Sequence, residues 1–292
     1  MVYLDYPYMS EAYKVDLEQK DPEITKDQTI GKVRGIAEGK DGTRALALSI
    51  DRLCKDAETF RKKRDGLRTR VESFKKFAVI PAWVVRFAAH LEEAEGEFNA
   101  KLSEVHEASE RAYAGILEIE RAVDAYIQTT REFKAAKAVK EGLLTIRNFA
   151  AMCLRTQEVM EQKGALGKQG RSTTLTEAKA LFKEYAVALG KSCAAYQQAL
   201  KNAPSRFSEL PTEFDLGTLD KKALVTVRDR AGSVSPSAIQ DGIDAYAREQ
   251  RDEFLKGFPK ARFTEQEKEF FKERTDPQWM QEEHEEVPED NP

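Results

Sequence analysis

The stretch HLEEAEGEFNAKLSEVHEASERAYAGILEIERAVDAYIQTTREF, residues His90–Phe133, decides the fold. Leu91, Phe98, Leu102, Val105, Ala112, Ile116, Ile119, Val123, Tyr126 and Phe133 fall on alternating steps of three and four, with Glu95, Ser109 and Thr130 as polar interruptions. That spacing keeps one stripe of an α-helix turned toward a neighbouring helix. The stripe begins upstream at Val84 and Ala88. Beyond Phe133 it resumes one residue out of step, through Ala136, Val139, Leu143, Ile146, Ala150 and Cys153. Repeated steps of three over 130–139 form a stammer, which overwinds or bends a supercoil. A continuous helix from Ala82 to Lys163 would be about 120 Å long, and Gly142 marks a bend or interruption within it.

On the N-terminal side the same period runs from Leu46 through Ile50, Leu53, Ala57, Phe60, Leu67, Val71 and Phe74 to Ala78, broken only by Arg64. Pro81 separates the two stripes. Residues 44–80 carry 11 Lys/Arg against 5 Asp/Glu, and residues 82–133 carry 5 against 11, so the two segments are complementary in charge. They can pair as an antiparallel hairpin turning at Pro81, or the same stripes can pair two chains in parallel; heptads alone do not decide. Ala94, Ala108, Gly115 and Ala122 flank the stripe and leave room for a third neighbour or a second chain.

On the C-terminal side Gly164, Gly167 and Gly170 end the long helix, and Thr174 to Glu177 reads as a capping box opening another, striped by Phe182, Ala186, Leu189, Cys193, Tyr196 and Leu200. Shorter helices are predicted near 219–230, near 236–256 behind Ser235 and Pro236, and near 264–275 behind Thr264 and Glu267. Residues 1–43, with breakers from Pro7 to Gly42, read as an extended arm, either a disordered segment with a few tyrosines or one whose Tyr3, Tyr6, Tyr8 and Tyr13 pack along the rod or on a partner. The expected fold is all-α: an elongated helical bundle or antiparallel coiled-coil hairpin with a long central helix. The expected segments are the N-terminal arm at 1–43, the bundle at 44–203, short packing helices at 204–275 and a solvated acidic tail at 276–292.

Composition agrees with long solvated helices: 41% apolar, 34% charged, and 16 Gly with 10 Pro in 292 residues. A net charge of −4 gives no footing for a nucleic-acid partner. Cys54, Cys153 and Cys193 stand far apart, without disulfide or zinc spacing, and read as reduced thiols. The start MVYLDYPYMS lacks a basic segment followed by an apolar run, and no apolar stretch reaches membrane-spanning length, so a cytoplasmic location is expected.

No residue set carries a catalytic, cofactor-binding or metal-ligating role. His90, His106 and His284 are isolated, and the glutamates at 92, 93, 95 and 97 sit on a helix whose inward stripe is apolar. Gly190-Lys191-Ser192 resembles a phosphate loop, but the motif's first glycine is replaced by Tyr185 and no strand precedes it. Two surfaces remain. Arg61, Lys62, Lys63, Arg64, Arg68 and Arg70 form the densest basic patch, read either as internal pairing with the acidic helix or as a contact for an anionic surface. The apolar turn carries Phe77, Val79, Ile80, Trp83 and Val84, and reads either as a tip covered by another part of the chain or as a contact for a partner or membrane. The function expected is that of a non-enzymatic structural or assembly protein with protein partners and self-association, such as a cytoskeletal or virion component. The alternative is a membrane-active helical protein using the turn at 77–89.

Overall fold

The computed structural model describes residues 24–39, 42–74, 82–162, 175–276 and 279, with the side chains of 82–84 and 162 outside that description. The fold is all-α, and no strand occurs among the described residues. In chain order the helices are α1 (Lys26–Glu38), α2 (Thr43–Phe74), α3 (Ala82–Thr129), α4 (Arg131–Gln162), α5 (Leu175–Asn202), α6 (Lys221–Ala231), α7 (Pro236–Lys256) and α8 (Glu265–Glu273), with a 3-10 turn at Ser205–Phe207.

Most of the described stripe residues of α3 and α4 are buried. Phe98, Leu102, Val105, Ala112, Ile116, Ile119 and Val123 on α3, and Ala136, Val139, Leu143, Ile146, Ala150 and Cys153 on α4, all lie inside. Each large one stabilises the fold by about 1.5–3 kcal/mol relative to exposure. Helix α2 folds back along α3: Thr43 lies against Gly115, Lys63 pairs with Glu97, Arg68 pairs with Glu95, and Phe74 meets Phe87. These contacts fix an antiparallel register within one chain. Helix α5 runs antiparallel to α4 in the same manner, from Phe149–Tyr185 through Gly142–Tyr196 to Arg131–Asn202. Helix α6 follows a further side of α4, with Lys221 near Glu161 and Gly232 beside Arg147.

The long central helix is interrupted at Thr130, inside the stammer rather than at Gly142. There the Thr130 amide bonds the Ile127 carbonyl three residues back, and the Thr129 and Thr130 hydroxyls donate to the Tyr126 and Ile127 carbonyls. Hydroxyls that bond preceding carbonyls compete with the helical ladder and bend it. Helix α7 splints the break, since Gln240 accepts from Lys140 on α4 while Arg251 reaches Asp124 on α3. Gly142 instead serves close packing: a Cβ there would come 3.1 Å from the Cβ and Cδ2 of buried Tyr196, so its hydrogen lets α4 and α5 approach. The Tyr196 hydroxyl donates to the Pro211 carbonyl, which ties down the connector after α5.

Two expectations about the chain ends change. Residues 26–38, expected within an extended arm, form α1, because the Thr25 and Gln28 capping box satisfies the first turn and Thr29, Val33 and Ala37 are buried. Helix α1 takes the place of the expected third neighbour of α3, with Lys32 pairing Glu118. At the other end Trp279, expected in the solvated tail, packs against the α2–α3 cluster of Ala57, Phe98, Leu102 and Val105. Residues 1–23 and 280–292 lie outside the described residues.

The close approach at Gly142 predicts that Gly142→Val lowers stability by about 1–3 kcal/mol through overpacking. Gly96→Ala, where a Cβ meets nothing within 4 Å, raises it by roughly 0.5–1 kcal/mol. Urea denaturation of both variants checks the pair, and equal effects would show that Gly142 is not a packing position.

Candidate interaction surface

The basic patch is largely paired within the molecule. Arg61 and Lys62 both reach Glu58, Lys63 reaches Glu97 at 2.6 Å, and Arg68 reaches Glu95 at 3.0 Å. Exposed pairs of this kind add little stability, and Lys63–Glu97 and Arg68–Glu95 serve chiefly to set the register of α2 on α3. Arg64, the one break in the α2 stripe, is buried: its guanidinium lies 4.3 Å from the centre of the Phe98 ring and bonds Asp65. Guanidinium stacking on an aromatic face is how a cation can occupy a core position. Arg70 is exposed.

Toward its turn the hairpin changes character. Arg64 on α2 and Ala94 on α3 are the last buried positions, and no described residue of 65–74 or 85–93 is buried. Leu67, Val71, Phe74, Phe87 and Leu91 are half-buried there, and Val85 is 64% exposed. Two helices alone cannot enclose a stripe, so apolar surface stays open along this end. Of the five apolar turn residues, Phe77, Val79 and Ile80 lie outside the described residues, as do the side chains of Trp83 and Val84.

The opposite part of α3 carries an ion-pair network that the sequence did not single out. Arg251 of α7 donates to both oxygens of Asp124 at 2.8 and 2.6 Å, Lys268 of α8 pairs with Glu120 at 2.5 Å, and Arg251 lies 3.7 Å from Glu120. Burial would discharge Lys268, but the Glu120 and Glu265 carboxylates beside it raise its pKa. Arg44, at the start of α2, binds the Lys260 and Arg262 carbonyls and Glu267, and stacks on Phe263. Arg274 stacks on Phe270 and Trp279 and sits beside Cys54, whose thiol burial pushes up against the pull of that guanidinium. Cys153 and Cys193 are buried free thiols, both pushed up to about 11 by burial.

Open depressions lie among these helices. One, about 640 Å³, sits at the Thr130 break between α1, α3 and the end of α7. Another, about 510 Å³, follows Gly35, Gly39, Gly42 and Gly115. A third, about 270 Å³, is walled by the Glu120–Arg251–Lys268 network, whose charges are mutually paired. Among the described residues no group of three His, Cys, Asp or Glu side chains is placed to hold a metal ion, and no helix is long and apolar enough to cross a membrane. No family model, curated protein or solved structure matches the chain.

The Arg44 tie has a pH signature. Burial raises the Glu267 pKa, but the Thr264 amide and hydroxyl and the Arg44 guanidinium outweigh it and hold the carboxyl below its ordinary value of 4.5. A depressed folded-state pKa means that the stabilisation is complete above the ordinary carboxylate range and disappears as pH falls through the lowered value. Glu267→Gln should therefore lower Tm at about pH 7, and the gap from the unsubstituted chain should close as pH falls below the ordinary carboxylate range. A gap that stays constant across this range would contradict the assignment.

Proposed function

We propose that this chain is a non-enzymatic structural or assembly protein. The observation that carries this reading is the open end of the α2–α3 hairpin, where the heptad stripe continues past Arg64 and Ala94 with no described residue buried. A half-filled stripe of Leu67, Val71, Phe74, Phe87 and Leu91 suits a further helix, from a second copy or another protein, completing the knobs-into-holes packing. The cations between helices support the same reading: buried Arg64 and half-buried Arg44, Arg251 and Lys268 hold helices to one another. In this reading the chain is an elongated coiled-coil rod in a larger complex, such as a cytoskeletal or virion assembly, and works in the cytoplasm.

Light scattering and chemical cross-linking of the purified chain test it. The expected result is a mass above the 33.1 kDa of one chain, or a stable cross-linked partner, with either lost in the Val71→Glu, Leu91→Glu double variant. A compact monomer with no partner under all conditions would overturn it.

The exposed Val85 beside exposed Arg86, on the helix that leads from the turn, favours one second reading, that the hairpin end meets a membrane surface. Co-sedimentation with anionic and neutral vesicles separates the two. Membrane action predicts binding that Trp83→Asp abolishes, and absence of binding to either vesicle removes the reading.

A further inference from the structure

The open end of the α2–α3 hairpin is complementary in charge to itself. Its stripe positions Leu67, Val71, Ala88 and Leu91 are half-buried, and Val85 beside them is exposed. From Phe98 onward Trp279 of the same chain packs on the stripe, so the open length is confined to 65–74 and 85–93, roughly 15 Å along each helix. Several charges of this end are already engaged: Asp65 holds Arg64, Arg68 pairs with Glu95, and Glu93 lies 3.6 Å from His90. Arg70, Glu72, Arg86 and Glu92 are exposed and pair with no described residue. The unengaged charges are therefore two of each sign, a balance that suits self-pairing. A strip with as many exposed carboxylates as cations is a poor match for an anionic lipid surface.

Two of the four flank the stripe. Arg70 directly precedes Val71 and Glu92 directly follows Leu91, the positions whose charges choose partner and orientation in a coiled coil. In the register fixed by Lys63–Glu97 and Phe74–Phe87 they lie at nearly the same height, midway between the buried positions Arg64 and Ala94 and the Phe74–Phe87 contact. A second hairpin laid antiparallel across this height runs its α3 in the same direction as the first α2. A two-fold axis there puts Arg70 of each copy beside Glu92 of the other. Setting α2 on α2 would oppose Arg70 to Arg70, and α3 on α3 would oppose Glu92 to Glu92. Resting on the reading of this end as a docking stripe, we propose that it is covered by the same end of a second copy, in an antiparallel four-helix arrangement closed by two Arg70–Glu92 pairs. Leu67, Val71 and Leu91 of each copy then fill the seam between the helices.

The test uses the full chain and two single charge reversals, Arg70→Glu and Glu92→Arg, at exposed positions that leave the buried stripe intact. Circular dichroism confirms that both variants keep their helices. Sedimentation equilibrium of the unsubstituted chain should show a dimer, with twice the 33.1 kDa mass of one chain. Each reversal alone should weaken self-association on the order of tenfold, because like charges then meet at both sites. An equal mixture of the two reversed chains should recover the dimer, since each supplies the charge that the other lacks. A monomer at every concentration, self-association indifferent to either reversal, or a mixture that stays monomeric would each overturn the proposal. A monomer that cross-links to a different protein would overturn the self-pairing and leave the assembly reading standing. A monomer that instead binds anionic vesicles would overturn it in favour of the membrane.

Discussion

The structure depends on the burial of one apolar stripe that runs along two successive helices, α3 and α4. The helices gathered around this spine bury their own faces against it: α1, α2 and α8 on α3, α5 and α6 on α4, and α7 on both. Close approach is what makes this work, because Gly115 meets the Thr43 side chain and Gly142 meets Tyr196 where a larger residue would hold the helices apart. Packing at this density is intolerant of added volume. The spine therefore specifies its neighbours by shape as well as by hydrophobicity.

Charge then decides which neighbour lies where. The acidic α3 faces the basic α2 through Lys63–Glu97 and Arg68–Glu95, and takes α7 and α8 through Asp124 and Glu120. The exposed pairs add little stability, whereas the half-buried Arg251 and Lys268 contacts leave costly unpaired charges if either partner is removed. Two consecutive threonines relieve the mismatch between the halves of the stripe by interrupting the helix at Thr130, and α7 spans the joint. The joint leaves a groove, while the hairpin end past Ala94 leaves an unfilled stripe. Both are places among the described residues where packing capacity is left over.

How much of this is legible in the sequence follows from which signals are local. Heptad spacing is local, and the buried faces of α4, of α3 from Phe98 to Val123 and of α5 at Leu189, Cys193 and Tyr196 follow the predicted period. The caps at Ser235 and Thr264 are local, and α7 and α8 begin on them. Helix α1 is hidden by Gly31 and Gly35, which read as breakers although a Cβ at either would meet nothing; the Thr25–Gln28 capping box was the signal to weigh against them. Gly142 reads as a bend because helix propensity is visible in one segment while its contact, Tyr196, is 54 residues away. Arg64 reads as a flaw in the stripe, since nothing in α2 announces the Phe98 ring that accommodates it. The Thr130 groove has walls from three distant segments, and the Trp279 contact joins the far end of the chain to α2 and α3, so neither has a sequence pattern.

The acidic α3 is thus satisfied by helices of its own chain in antiparallel register. Zero-length carbodiimide coupling of an equal mixture of isotopically light and heavy chains tests this most directly, because it joins only amines and carboxylates already in contact. Lys63–Glu97, Lys32–Glu118 and Lys268–Glu120, at 2.6, 3.3 and 2.5 Å, should couple, and every coupled peptide pair should be wholly light or wholly heavy. Mixed light–heavy pairs at these sites, or coupling of Lys63 to carboxylates in a parallel register, would contradict an intramolecular spine.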